Sequence, residues 1–136
     1  KSDENPNAVI LILDDKDTII RKCKRAVTDS ETEVVFREGK DGINNLLTIY
    51  SAVTGKTIPE AEKEFAGQGY GTFKVAVGEA VADHLAPVRE EYAKLIADKA
   101  YLKECYTRCG AEALRYSQRV LNKVYKKIGF IPSEIR

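Results

Sequence analysis

Histidine occurs once in this chain, at His84, cysteine three times, and methionine and tryptophan not at all. One histidine and three scattered thiols cannot furnish the clustered ligands of a structural zinc site, so no metal is expected. Cys105 and Cys109 stand four apart and share a helical face, but no further His or Cys joins them. The odd count argues against a disulfide framework and for reduced thiols in a cytoplasmic setting, buried as small hydrophobes. No apolar run approaches the length of a membrane span, so neither a signal peptide nor a membrane partner is expected. The opening KSDENPN lacks an initiator methionine and begins on a polar loop, so it is expected not to be a natural N-terminus. No nucleophile stands beside a base, and no carboxylate pair has a reason for shifted acidity. The glycine cluster at 67–71, GQGYG, lacks the preceding strand and the spacing of a phosphate-binding loop and reads as a helix-to-helix connection.

What is present is the material of one domain. At 136 residues with 43% hydrophobic and 32% charged residues, the chain is long enough for one real core and too short for two. A net charge of +1 says nothing about partners, but its distribution does. Lys16, Arg21, Lys22, Lys24 and Arg25 cluster early, and Arg108, Arg115, Arg119, Lys123, Lys126 and Lys127 cluster late. Such faces can meet phosphates, or simply keep a helix solvated.

Periodicity carries the fold. Ala8 to Leu13, six apolar residues in a row, reads as an extended segment or short strand. Asp14, Asp15 and Asp17 suit a helix start, and Ile19, Ile20, Cys23 and Val27 form one face of a helix expected to end near Thr28. A second helix should run from Gly42, with Ile43, Leu46, Leu47, Tyr50 and Val53 inward, to a left-handed cap at Gly55. Thr57-Ile58-Pro59-Glu60 is a capping box that opens a short third helix ending near Phe65. Phe73 to Leu95 keeps the helical period across Pro87, which should kink it near Asp83 and His84, with His84 packed on the apolar face. Asp98 caps a last region in which Leu102, Cys105, Cys109, Ala113, Tyr116, Val120, Val124 and Ile128 recur. Gly110 is expected to bend or divide that region and Gly129 to end it. The expected class is all-α: about five helices in a small bundle or array, with an extended N-terminal segment.

AVTDSE at 26–31, GINNLLTIYSAVTGK at 42–56 and GQGYGTFK at 67–74, in this order, resemble the C-terminal part of bacterial-type tryptophanyl-tRNA synthetases. LAPVREEYAKLIADKAYL at 85–102 and CGAEALRYSQRVLNKVYKKIGF at 109–130 resemble that family's final helices. Lys1 and Ser2 then match the last two positions of the KMSKS loop of class I synthetases. The resemblance implies that residues 1–14 are the remnant of that loop and the edge of a catalytic domain, and that 15–136 are the helical anticodon-binding-type domain. It implies a parent enzyme that activates L-tryptophan with ATP and Mg2+ and transfers it to tRNA, in the cytoplasm and as a homodimer. Lys1 would be catalytic and, with Ser2, would contact ATP. Arg108, Arg115, Arg119, Lys123 and Lys126 would contact tRNA. The sheet, the HIGH-like motif and the tryptophan pocket of the family lie outside these residues, so the 136-residue chain alone is expected to be monomeric, cofactor-free and inactive. The competing expectation is a non-catalytic helical interaction module with solubilising basic faces.

Overall fold

A computed structural model describes residues 5–130 of the chain. It contains five helices: α1 (Lys16–Lys24), α2 (Asp41–Thr54), α3 (Ile58–Glu64), α4 (Gly69–Ala97) and α5 (Lys99–Ile128). Among the described residues there is no strand, so the all-α expectation holds. The strand alternative for Ala8–Leu13 does not: Asp14 closes a turn there, its N–H donating to the Leu11 carbonyl. No helix among the described residues is long and apolar enough to cross a membrane. The chain divides into two compact units, Lys1–Glu91 and Tyr92–Arg136.

In Lys1–Glu91 the caps act where the sequence put them. Asp15 accepts from the Thr18 N–H at 2.7 Å and starts α1. Gly55 stops α2 at φ 74°, a conformation costly for any side chain but glycine's. The Glu60 carboxylate takes both the N–H and the hydroxyl of Thr57, each at 2.7 Å. Phe73, Ile19, Ile43, Leu47 and Val77 are fully buried. Around them Tyr50, Phe65 and Phe73 meet as an aromatic trio with centroids 5.0–6.1 Å apart. α1 lies so close to α4 that a Cβ on Gly78 would sit 2.7 Å from the Ile20 Cα.

Four expectations fail in this unit. The glycine cluster at 67–71, expected as a helix-to-helix connection, lies inside α4 from Gly69 onward. α1 ends at Lys24 rather than near Thr28, and Val27, assigned to its inner face, is 89% exposed. The backbone beyond Lys24 is drawn instead into side-chain hydrogen bonds described below. Lys22, read as part of a solvated face, is buried. His84 is exposed, although it shares the apolar period of α4. Pro87 remains inside α4, where it removes an N–H from the ladder, and Arg89 Nη2 donates to the Ala82 carbonyl at 2.8 Å.

In Tyr92–Arg136, Asp98 caps α5 by accepting from the Tyr101 N–H at 2.9 Å. The helix runs through Gly110 without division, because a glycine costs only about 1 kcal/mol in a helix of this length. None of its residues is buried. The thiols expected inside are therefore reachable: Cys109 is exposed and Cys105 half-buried. Periodicity identifies an apolar face, but burial needs an element that covers it.

Gly78→Ala should cost about 1–3 kcal/mol through the forced separation of α1 and α4. That corresponds to roughly 4 °C of thermal midpoint for each kcal/mol. Gly110→Ala, with no atom within 4 Å of the added Cβ, should not lower the midpoint. Calorimetry of the two variants beside the parent chain checks both halves, and equal midpoints would contradict the close α1–α4 contact.

Candidate functional site

Lys1 and Ser2 lie outside the described residues. Arg108, Arg115, Arg119, Lys123 and Lys126 all lie on α5 and are all exposed. At about 100° per residue, their spacings place them within an arc of roughly 80°, so they form one stripe along the helix. α5 carries eight basic and two acidic residues, and among the described residues none of the five is ion-paired. The Arg115 guanidinium lies 4.8 Å from the centre of the Tyr116 ring. Of the side chains near the stripe that can hydrogen-bond a base, Gln118 donates to Asn122 at 3.1 Å, while Tyr116 is exposed.

A second constellation forms in Lys1–Glu91 from residues that sequence reasoning did not single out. Lys40, only 2% exposed, directs its ammonium at three acceptors. These are Glu31 Oε2 at 2.7 Å, the Glu33 carbonyl at 2.8 Å and Tyr70 Oη at 2.8 Å. The Tyr70 hydroxyl in turn donates to Asp29 Oδ1 at 2.7 Å. One turn along α4, Lys74 donates to the Ala26 carbonyl at 2.8 Å and to Thr28 Oγ1 at 2.9 Å. From the other side Gly42 presses on the same segment, where a Cβ would lie 2.2 Å from the Val27 carbonyl oxygen. The three motifs at 26–31, 42–56 and 67–74 therefore meet in space. Their co-occurrence was the available signal; which side chains joined them was not readable from spacing.

The charges of this knot stabilise one another. Burial works to raise the Asp29 carboxyl, but the Tyr70 hydroxyl, the Glu31 N–H and the nearby Lys40 outweigh it and hold the group below its ordinary value. The Lys40 hydrogen bond does the same for Glu31. Burial opposes the Lys40 charge, yet Glu31 and Tyr70 raise its pKa above the ordinary ammonium range. No reacting group is set up here. The arrangement can hold a loop in one conformation, and that is its chemistry.

Beside the knot, the N-terminal segment rests on the end of α1. Asn5, Asn7 and Ala8 face Arg25, Ala26, Val27, Gly42, Asn45 and Leu46 across a cleft of about 370 Å³. Asn5 organises its own turn by accepting from the Asn7 N–H at 3.0 Å through Oδ1, and from the Ala8 N–H at 3.0 Å through its carbonyl. Behind it Lys22 Nζ donates to the Val9 carbonyl at 2.8 Å and to Asp14 Oδ2 at 2.6 Å.

The family model of class I tRNA synthetases (W and Y) matches residues 1–86. The tryptophan–tRNA ligase of Wolinella succinogenes is 44% identical over 131 residues, which cover 96% of this chain and 40% of that protein. The tryptophan–tRNA ligase of Clostridium perfringens is also 44% identical, over 97% of this chain and 40% of its own length. The chain thus spans about 40% of the length of the curated relatives it matches. The crystal structure of tryptophanyl-tRNA synthetase from Mycoplasma pneumoniae shares the fold, with a TM-score of 0.64 at 23% identity, over 99% of this chain and 43% of that one.

The lowered carboxyls of the knot contribute to the acid limb of stability, together with those of Asp14, Asp15 and Glu60. Asp29 and Glu31 have ordinary values of 3.8 and 4.5 and lie lower in the fold. Their stabilisation is therefore fully present above those values and is lost as pH falls through the folded pKa. The urea midpoint should stay level down to about pH 5 and fall below about pH 4. Asp29→Asn should lower the plateau and flatten the fall. A series of urea melts between neutral pH and pH 3 measures both, and an unchanged acid slope would remove Asp29 from the account.

Proposed function

The chain belongs to the class I tRNA synthetases of the W and Y family, and from that premise we propose that it forms the C-terminal part of a tryptophan–tRNA ligase. The observation that carries the reading is 44% identity to such ligases over 96% of the chain. The complete enzyme joins L-tryptophan to tRNA in two steps. A carboxylate oxygen of tryptophan attacks the α-phosphorus of ATP and pyrophosphate leaves. A hydroxyl of the terminal tRNA ribose then attacks the acyl carbon and AMP leaves. ATP acts with Mg2+, and the enzyme works as a cytoplasmic homodimer. Residues 1–14 belong with its catalytic part and residues 15–136 form the helical tRNA-facing part. The isolated 136 residues are monomeric and inactive.

Lys1 acts as the second lysine of the KMSKS loop, beside the phosphates that leave as pyrophosphate. A positive charge placed where negative charge builds favours the transition state over the ground state. Ser2 holds the loop at the nucleotide. The full-length protein containing these residues should catalyse tryptophan-dependent ATP–pyrophosphate exchange, and Lys1→Ala should lower its rate far more than tryptophan affinity. A loss confined to tryptophan binding would count against Lys1. Exchange by the isolated 136 residues would count against the division of labour, because a terminal lysine cannot replace the several kcal/mol that substrate positioning supplies.

The stripe of Arg108, Arg115, Arg119, Lys123 and Lys126 contacts the tRNA backbone. Its support is the exposure and common orientation of these five side chains. Phosphate contacts release counterions, so affinity should fall steeply with salt. Arg115→Ala with Arg119→Ala should weaken tRNA binding and flatten the salt slope by about one unit per lost contact. Anisotropy titrations at several salt concentrations measure this, and an unchanged affinity and slope would make α5 a structural element only.

A further inference from the structure

We infer that Lys22 is a positioning residue for the adenylation step, acting through the clamp that sets the course of residues 5–14. The inference rests on the reading of Lys1 and Ser2 given above, because those residues lead directly into this segment.

Hydrophobic packing holds the segment mainly at Ile10. Leu11, Ile12 and Leu13 are 59%, 59% and 50% exposed, and Ile10 is the one residue of 10–13 packed against the core. The fixing contacts are polar and converge on one buried ammonium. Lys22 and Asp14 keep only 9% and 13% of their side chains exposed. The Lys22 ammonium reaches the Val9 carbonyl and Asp14 Oδ2, and that same Oδ2 accepts from the Leu11 N–H at 2.9 Å. Positions 9 and 14 are thereby tied directly to a single point on α1, and position 11 is tied through Asp14. Two of the three ties are to backbone groups, so they fix the path of the chain and not merely a side chain.

A buried ion pair is a poor source of net stability, since desolvation consumes most of its attraction and an apolar pair often serves as well. What it supplies is direction: donor and acceptors must keep short distances and set angles, which a methionine in the same space would not demand. Chemistry at a loop that starts a few residues upstream needs that kind of constraint, because misplacement by about 1 Å can cost about 10²-fold in rate.

The test uses the full-length protein containing these residues, with Lys22→Met, Lys22→Arg and Asp14→Asn. Circular dichroism and thermal melts confirm folding at the assay temperature. Lys22→Met should lower kcat of tryptophan-dependent pyrophosphate exchange by roughly 10- to 100-fold, with the KM for tryptophan and the affinity for tRNA within about twofold. Lys22→Arg, which can still donate to both acceptors, should recover most of the rate. Should Lys22→Met not fold, Asp14→Asn carries the test and should lower kcat by about threefold or more, with the same unchanged KM. A folded Lys22→Met, or in its place a folded Asp14→Asn, with wild-type kcat overturns the inference and leaves the clamp a structural tie. So does an equal loss in kcat, tryptophan KM and tRNA affinity, the pattern of general destabilisation. Failure of the underlying reading is seen separately, as wild-type protein without exchange activity or as Lys1→Ala without effect, and it takes the inference with it.

Discussion

The ammonium of Lys40 is almost wholly withdrawn from water and must find its hydrogen bonds inside the protein, and the unit Lys1–Glu91 is arranged to provide them. Sixteen residues, 25–40, separate α1 from α2 without regular structure. Backbone of that kind has no ladder to satisfy most of its polar groups, so side chains supply many of the partners. Lys40 takes the Glu33 carbonyl, Lys74 the Ala26 carbonyl, Asn44 both polar groups of Arg37, and Glu62 the Phe36 N–H. Tyr70 then links Lys40 to Asp29, so the knot behaves as one network in which each charge is held by its neighbours. α1 ends where this network begins, since the Ala26 carbonyl accepts from Lys74.

The unit Tyr92–Arg136 follows different physics. α5 has no buried residue, yet it keeps its length through a side-chain cap at Asp98, a left-handed cap at Gly129 and thirty residues over which the cost of nucleation is spread. Among the described residues no salt bridge offsets its excess of basic residues, so the helix presents a field as much as a surface. Tyr116, Val120, Val124 and Ile128 remain more than two-fifths exposed beside that field. In a globular core those side chains would be the source of stability.

Lys22 and Lys40 illustrate why charged residues are hard to assign from sequence. Each sits in a stretch where a solvated lysine is the ordinary outcome, and each is buried because distant or irregular backbone needed a donor. The same limit applies to His84 and Cys109, which follow an apolar period and nonetheless face outward. In those cases the period identifies the shared face but not its burial, since a period says which residues share a face and nothing about what lies opposite.

The number of helices, their caps at Gly55, Thr57, Asp98 and Gly129, the inward set Ile19, Ile43, Leu47, Phe73 and Val77, and the family were legible in the sequence alone. All of these rest on interactions within a few residues or on one apolar stripe, and linear spacing encodes both. The union of the 26–31, 42–56 and 67–74 motifs around Lys40, Tyr70 and Asp29, and the clamp of Lys22 on Val9 and Asp14, were decided only by the tertiary structure. Their partners stand 8 to 48 residues apart, and a hydrogen bond across such a distance depends on where the intervening helices turn the chain.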